Sequence, residues 1–239
     1  MDIEVGEGIA AANASWSFAG KTATAFGDHV RRSIPLYDEG HRVVCGLSDF
    51  FVRSDSVVYE LGVSIGELLG QLVERHSHHR SIRWVGIDIE KDMTDRARER
   101  LQGTPGMVSI ETADIVLYKL EKTDLIVSYY CLQFVPPKFR QTVVNRIYEA
   151  LEWGGAFIWF EKVRGRDARF QDIFSLLYTD FKLSNQYTPN EILAKSRSLK
   201  GVLEPFSSEG NLGLLKRAGF VDVNTVFQYL CFEGILAIK

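Results

Sequence analysis

The sequence is poor in cysteine, and its three cysteines, Cys45, Cys131 and Cys231, are far apart and form no Cys-x-x-Cys pair. This spacing excludes a disulfide framework and a cysteine-based zinc site, so we interpret the three as buried thiols. Long apolar runs are also missing, because a segment such as Ala156–Phe160 is far too short to span a bilayer. The first residues lack the basic and then apolar pattern of a signal peptide. We therefore expect a soluble, cytoplasmic protein with no membrane partner.

An excess of positive charge is absent as well, since the net charge is −3 and the isoelectric point is near 6.0. A nucleic acid partner normally requires a basic surface, so we predict a small-molecule substrate and no nucleic acid partner. The histidine-rich stretch His76-Ser77-His78-His79 falls at the expected C-terminal end of a helix, where the helix dipole favours cationic side chains. Without neighbouring acids or cysteines, this stretch does not indicate a metal site.

The sequence does contain a regular alternation of short apolar runs and amphipathic stretches. Its 239 residues fit a single domain, residues 1–239. The repeated β-α order predicts an α/β fold with a parallel sheet covered by helices, and two final strands extend it to a seven-stranded mixed sheet. The predicted strands are Val57–Leu61, Trp84–Asp88, Val108–Glu111, Asp124–Ser128, Ala156–Glu161, Val221–Val226 and Leu230–Ile238.

Two helical segments are expected outside this core. Trp16, Phe18, Phe26 and Val30 recur at roughly helical spacing and predict an N-terminal helical cover over residues 1–50. Residues 163–215 are helical in pattern and polar, and they predict a lid inserted after the fifth strand. The lid helices are expected near Phe170–Phe181 and Pro189–Leu199.

The turn from Glu60 to Gly66 follows the first predicted strand and opens a helix. In an open α/β sheet this is the place where strand ends leave a ligand crevice. Gly62 and Gly66 allow the backbone to come close to a ligand at Val63 and Ser64, and the following helix N-terminus offers N–H groups. The turn therefore predicts a nucleotide site.

Acids at the next strand ends narrow the choice of nucleotide. Asp88 ends the second strand, where an acid can bind both ribose hydroxyls, and Asp114-Ile115 follow the third strand, where they suit an adenine ring. A dinucleotide fingerprint would need glycine at Ser64 and at Glu67, so NAD is disfavoured. An acid at Glu60 suits a ligand with an ammonium group rather than a pyrophosphate. Together these features predict S-adenosylmethionine (SAM) as the cofactor.

The chain also resembles the carboxy-S-adenosylmethionine synthase family along nearly its whole length. That resemblance implies a Rossmann-like class I SAM-dependent methyltransferase fold, a homodimer, and cofactor contacts from Tyr37, Gly62 to Ser64, Asp88-Ile89 and Asp114-Ile115. The segments that carry it are Trp16-x-Phe18, Ser33-Ile34-Pro35-Leu36-Tyr37, Tyr59-Glu60-Leu61-Gly62-Val63-Ser64-Ile65-Gly66, Leu132-Gln133-Phe134, Gly154-Gly155-Ala156, Glu161-Lys162, Asp180-Phe181-Lys182 and Lys216-Arg217-Ala218-Gly219-Phe220.

Two positions depart from the family pattern. Tyr129 stands where the family has an asparagine that contacts the cofactor, and Ser196 stands where it has an arginine that holds the transferred carboxylate. Arg197 is the next residue, but one step along a helix turns a side chain by about 100°. A one-residue shift of the helix would restore the arginine, and contact across a dimer is another way for Arg197 to meet a carboxylate. Otherwise the carboxylate clamp is lost, because a serine is a poor substitute for a bidentate guanidinium. We infer a SAM enzyme on this scaffold with different chemistry.

The sulfonium of SAM makes three carbons electrophilic, so an enzyme mainly has to position a nucleophile and hold the cation. Tyr37, Tyr129 and Tyr130 are predicted to form an aromatic enclosure for that cation. Glu161, at the end of the fifth strand, is a candidate base or amine-binding group, with a structural ion pair as the alternative.

Four reactions or roles remain open at this point. The first hypothesis is methyl transfer to a small acceptor beneath the lid, and the second is attack of the SAM amine on its own γ-carbon, which gives azetidine-2-carboxylate and methylthioadenosine. Residual carboxy-SAM synthesis and a non-catalytic SAM sensor are the others. The products separate these hypotheses, because methyl transfer leaves S-adenosylhomocysteine whereas cyclisation leaves methylthioadenosine.

Overall fold

A computed structural model describes residues 3–6 and 8–239 of the chain. It contains nine strands, eight α-helices and one short 3₁₀ helix among those residues. In chain order they are β1 (Ile3–Glu4), β2 (Ala10–Ala11), α1 (Lys21–Ser33), α2 (Tyr37–Ser48), β3 (Val57–Leu61), α3 (Glu67–Arg75), β4 (Arg83–Asp88), α4 (Lys91–Leu101), β5 (Met107–Thr112), β6 (Thr123–Tyr129), the 3₁₀ helix (Leu132–Phe134), α5 (Pro137–Ala150), β7 (Leu151–Lys162), α6 (Ala168–Ser184), α7 (Pro189–Ser198), α8 (Ser208–Ala218), β8 (Asp222–Tyr229) and β9 (Phe232–Ile238).

The large sheet has seven strands in the order β5-β4-β3-β6-β7-β9-β8. The strands β3 to β7 pair in parallel, and β9 runs antiparallel to both of its neighbours. The predicted seven-stranded mixed α/β sheet is therefore confirmed. The strand order reverses at β3, so the crevice that accepts ligands in such sheets lies at the carboxyl ends of β3, β4 and β6.

Apolar side chains alternate between the two faces of the sheet. Along β3, Val58 joins one core cluster, which it shares with helices α2 and α3, whereas Tyr59 and Leu61 join the cluster packed on α5 and α8. Because side chains alternate along a strand, Glu60 points to the same face as Val58. An acid thus lies at the end of an otherwise apolar strand, on the side of α2 and α3.

The strand β7 begins earlier than the sequence predicted. Gly154 and Gly155 were expected to precede the strand, but β7 starts at Leu151. The reason is tertiary, because Gly154 N donates to Lys239 O at 2.8 Å and Lys239 N donates to Gly155 O at 3.0 Å. Pairing with the last residue of the chain extends the strand through two glycines.

The described residues before α1 are not helical, so the prediction that Trp16 and Phe18 lie on a helix is wrong. The helix begins at Lys21, after Gly20, whose φ of 61° is left-handed. The preceding segment instead bonds to the end of α7, since Trp16 N donates to Ser198 O at 3.2 Å. The N-terminal segment and the inserted helices therefore meet over the same edge of the sheet.

The inserted helices α6 and α7 lie between β7 and α8, within the predicted 163–215 segment. Helix α7 begins with a capping box in which Thr188 and Glu191 satisfy each other's backbone amides. Among the described residues, no helix is both long enough and apolar enough to cross a membrane.

Candidate functional site

The turn between β3 and α3 is built on left-handed glycines. Gly62 has φ 77° and Gly66 has φ 74°. A Cβ atom on Gly62 would lie 2.5 Å from both Cβ and Sγ of Cys131, so this position requires glycine both for its dihedral angle and for space. The amides of Gly62 and Val63 donate to Ile87 O at 2.8 and 3.0 Å. These bonds fix the turn to the end of β4.

Asp88 is held at the end of β4 by two backbone amides. Its Oδ2 accepts from Ser64 N at 2.9 Å and its Oδ1 accepts from Glu90 N at 3.0 Å. Burial raises the pKa of Asp88 from its ordinary value. A cavity opens beside the carboxyl ends of β3, β4 and β6. Asp88 lines this cavity together with Ser64 and with Ile89, which is 65% exposed. Its contact with the ribose hydroxyls stays a prediction.

Asp114 and Ile115 lie outside the lining of this cavity. Asp114 Oδ1 accepts from Val116 N at 2.8 Å, so the side chain closes the turn after β5. Ile115 packs against the core cluster on the α5 face. Their contact with an adenine ring stays a prediction.

Three tyrosines form an aromatic wall on the cavity, which we call the tyrosine wall (Tyr37, Tyr129 and Tyr130). The Tyr37 and Tyr129 rings meet edge to face at 5.2 Å between centroids, and Tyr129 meets Tyr130 at 4.7 Å. Tyr129 Oη donates to Tyr37 O at 2.6 Å. All three line the cavity and are at most 8% exposed. Burial raises the pKa of each phenol, so the hydroxyls stay protonated and neutral.

The position of Tyr129 depends on a glycine from another element. A Cβ atom on Gly40, in α2, would lie 2.1 Å from Tyr129 Oη. Tyr130 also has a positive φ of 58°, and its amide donates to Phe160 O at 2.9 Å. The wall therefore needs α2, β6 and β7 to be assembled before its rings can meet.

Glu60 contributes an acid to the same cavity. Its side chain is 3% exposed and lines the cavity beside Gly62 and Asp88. Burial, and then the like charge of Asp88, raise the pKa of Glu60 well above its ordinary value. In the described part of the chain, Glu60 Oε2 has no hydrogen-bond partner.

Glu161 does not line the cavity. Its Oε1 accepts from Gln133 N at 3.2 Å, and burial raises the pKa of the carboxyl to about 8. Gln133 in turn donates to Tyr130 O and accepts from Lys162 N. Glu161 thus anchors the 3₁₀ helix behind the tyrosine wall, which favours neither an ion pair nor direct contact with a ligand.

Two lysines line the cavity and were not singled out from the sequence. Lys162 Nζ lies 4.0 Å from the centroid of the Tyr178 ring, and Lys195 Nζ lies 5.0 Å from that of Trp16. Lys195 Nζ also donates to Ser33 Oγ at 2.8 Å. The sequence could have indicated Lys195, because it stands next to the expected arginine position at Ser196. Only the structure shows that α7 turns this side chain towards the cavity.

The positions considered for the family arginine point outward. Ser196 and Arg197 are both exposed on α7, whereas Lys195 is buried and reaches the cavity. Successive residues of a helix differ by about 100° in direction, which separates these three side chains. Arg197 therefore does not reach the cavity of its own chain, and the cation that α7 supplies there is the ammonium group of Lys195.

The profile of a methyltransferase domain matches residues 58–155, from β3 to β7. The chain is 35% identical to carboxy-S-adenosyl-L-methionine synthase of Staphylococcus epidermidis, over 94% of this chain and 97% of that protein. It is 31% identical to the enzyme of the same name from Sulfurimonas denitrificans, over 94% of each chain.

Solved structures with similar folds include human N-acetylserotonin methyltransferase in complex with SAM and the SAM-dependent methyltransferase SibL. Each has a TM-score of 0.62 and 17% identity, and each match covers 92% of this chain, with 55% of the human enzyme and 57% of SibL. At this level of identity, the likeness shows the fold.

Proposed function

The chain belongs to the carboxy-S-adenosyl-L-methionine synthase family. Because the resemblance places Ser196 where that family has its carboxylate-binding arginine, we propose that the protein uses SAM as its own substrate. In this reaction the SAM amine attacks the γ-carbon of the same molecule. The sulfonium leaves as the thioether of methylthioadenosine, and the remaining carbon chain closes to azetidine-2-carboxylate. The enzyme keeps the SAM-binding, methyltransferase-like fold and needs no second substrate.

The observation that carries this proposal is the change at the two family positions. Tyr129 fills the place of an amide with a buried ring, and Ser196, in place of the arginine, is exposed on α7. Among the described residues that line the cavity there is no arginine. The cavity has thus gained an aromatic surface and lost the group suited to bidentate binding of a second substrate's carboxylate.

The tyrosine wall suits a sulfonium ion. A cation over an aromatic face gains about 0.5–2 kcal/mol, the higher value when water is excluded. The phenol hydroxyls are neutral, and that of Tyr129 is already bonded to Tyr37 O. The wall therefore offers ring surface rather than a competing nucleophile.

Lys162 and Lys195 support the same reaction through the SAM carboxylate. Carboxylate attack on the γ-carbon would give homoserine lactone, so a cyclase that makes the four-membered ring must keep the carboxylate away. An ammonium group on the cavity lining can hold that carboxylate by a charge-assisted hydrogen bond. This leaves the amine as the internal nucleophile.

Carboxy-SAM synthesis is the second candidate, favoured by Lys195. This buried cation comes from the same helix, one residue before the family arginine position, and the relatives over 94% of the chain carry the name carboxy-S-adenosyl-L-methionine synthase. A point charge binds a carboxylate with less geometric control than a guanidinium does. For that reason we place this reaction after cyclisation.

One set of incubations tests the proposal. The purified protein is incubated with SAM alone, with SAM and prephenate, and with SAM and a mixture of small acceptors, and the products are identified by mass against a protein-free control. Methylthioadenosine with azetidine-2-carboxylate from SAM alone supports cyclisation. A carboxyl mass gain on SAM that depends on prephenate, S-adenosylhomocysteine that depends on an acceptor, or no consumption of bound SAM would each replace it.

A further inference from the structure

Glu60 lies at the centre of the sheet edge that opens into the cavity. In β3 it pairs in register with Gly86 of β4 and with Val127 of β6. Both neighbours are apolar, and the side chain is 3% exposed. A carboxyl group in such a place loses its hydrogen bonds to water. If its role were structural, protein groups would have to replace those bonds.

The protein supplies partners to only part of this carboxyl group. The nearby backbone amide of Leu69, the third residue of α3, acts against the rise in its pKa. Its Oε2 has no partner among the described residues, and the charged neighbour that affects it is Asp88, which has the same sign. The side chain lines the cavity, so a cationic ligand there would be the partner that this carboxyl group lacks.

The other acids on the cavity lining are differently occupied. Asp88 accepts from two backbone amides, and Glu67 forms an ion pair with Arg31. Glu90 is half-buried, and burial and the nearby Asp88 raise its pKa. Glu67 Oε2 also has no hydrogen-bond partner, but that carboxyl group is paired with Arg31, whereas Glu60 has no ion pair among the described residues.

We propose that Glu60 is the catalytic base that takes a proton from the ammonium group of bound SAM. This inference rests on the cyclisation proposed above. One N–H bond breaks and one O–H bond forms on Glu60, which leaves a neutral amine. The amine lone pair forms the N–Cγ bond while the Cγ–S bond breaks and its electron pair stays on sulfur. The products are the protonated azetidine, the neutral thioether and the protonated Glu60, which returns its proton to solvent.

The chemical reason is that SAM arrives with its nucleophile blocked by a proton. An α-amino group has a pKa of about 8 and a carboxyl group one of about 4, so in water the transfer is unfavourable. Burial raises the pKa of the acid and lowers that of the ammonium group, and each unit of approach favours transfer about tenfold. A buried, uncompensated carboxylate beside the amine is the arrangement that brings the two values together.

The test compares wild type with Glu60→Gln, which keeps the size of the side chain and removes its charge. We expect kcat for methylthioadenosine formation to fall at least about 100-fold, as for loss of a general base. SAM affinity should fall because the ammonium loses its counter-charge, whereas affinity for methylthioadenosine, which has no ammonium, should stay within about twofold. A purely structural role would weaken both ligands together. Asp88→Asn is the matched control, since it should weaken both through the ribose.

The pH profile provides a second readout. In Glu60→Gln the residual rate should rise about tenfold per pH unit below the amine pKa, because only unprotonated SAM can react. Wild type should have a flatter profile on that limb. The titratable groups that face Glu60 and interact with its charge are Asp88 on β4, Tyr37 and Cys45 on α2, and Cys131 after β6.

The outcomes separate this inference from the proposed function. If wild type makes no methylthioadenosine from SAM alone, the cyclisation itself is wrong. If wild type makes it and Glu60→Gln does so at a similar kcat, only the role of Glu60 is overturned. Should Glu60→Gln not fold, the pair Glu60→Asp and Glu60→Asn decides, because turnover by aspartate and not by asparagine supports a base, and equal rates refute it.

Discussion

The nucleotide end of the cavity is made by backbone turns at neighbouring strand ends, whereas the tyrosine wall and the lysines are made by side chains from distant elements. Within one β-α-β unit, Gly62 N donates to Ile87 O and Ser64 N donates to the side-chain Oδ2 of Asp88. Tyr37 and Tyr129 meet across 92 positions of sequence, and Lys195 reaches Ser33 across 162. One end can keep its ligand while the other changes its chemistry.

The largest expected effect tests the nucleotide end. Gly62→Ala places a Cβ 2.5 Å from Cys131 and at a φ of 77°, so we expect the free energy of unfolding to fall by about 3 kcal/mol. Gly46→Ala is the matched control, because no atom lies within 4 Å of its Cβ and it lies in α2. That control should gain about 0.5 kcal/mol. Chemical denaturation measures both, and equal effects would remove the argument for a close-packed turn.

The next prediction concerns the support behind the tyrosine wall. The folded pKa of Glu161, about 8, lies above its ordinary value of 4.5, so the folded state binds the extra proton between those values. Stability that is present below pH 4.5 is therefore lost as the pH rises through the folded pKa. Glu161→Gln should remove this loss, so that between pH 6.5 and 8 wild type loses about 2 kcal/mol more than the variant.

Two other groups titrate near the range from pH 6.5 to 8, and both contribute equally to wild type and to Glu161→Gln. His41, whose pKa is lowered to about 4 by burial, increases stability as the pH rises towards 6.5, and Lys182, whose pKa is lowered to about 8, acts above pH 8. Denaturant midpoints at half-unit steps provide the measurement. Parallel pH profiles for wild type and variant would contradict the burial of a titrating Glu161.

A smaller effect should distinguish ring from hydroxyl at Tyr129. Tyr129→Leu removes the aromatic face. We expect the preference for SAM over S-adenosylhomocysteine, which lacks the sulfonium charge, to fall about tenfold. Tyr129→Phe should keep this preference within about twofold, at a cost of about 1 kcal/mol of stability for the lost bond to Tyr37 O. Calorimetric titration of the two ligands measures the ratio. An unchanged ratio in the leucine variant would mean that the sulfonium does not meet this ring.

The smallest effect compares two cations of α7. Lys195→Met should weaken SAM about fivefold and leave methylthioadenosine unchanged, because the lost partner is a carboxylate that only SAM has. Arg197→Met should change neither, since Arg197 is exposed. If both variants weakened SAM binding equally, helix α7 would have to be rotated about its axis so that Arg197 also faces the cavity.

Much of the fold could be predicted because its signals are local. The predicted strands at Val57–Leu61 and Trp84–Asp88 match β3 and β4 within one residue. The errors lie where a distant segment decided the outcome. Gly154 belongs to β7, where the amide of Gly154 bonds to Lys239 O. Trp16 is not helical as predicted, and its amide bonds to Ser198 O.

The candidate site divides in the same way. Asp88 was placed by its position at a strand end, which determines its neighbours. Glu161 was named for a similar position, yet the residue lies outside the cavity lining, because the 3₁₀ helix supplies an amide that turns its carboxyl group away. No local pattern distinguishes these two cases.

The sequence alone determined the order of strands and helices, the glycine turn, the acids of the nucleotide end and the family, because these depend on residues close together in the chain. Only the tertiary structure decided that the ring of Tyr129 fits over Gly40, that Lys195 rather than Arg197 lines the cavity, and that Glu60 has a buried oxygen with no hydrogen-bond partner among the described residues. Burial and contact between distant elements set these properties, and side-chain spacing along the chain does not encode them.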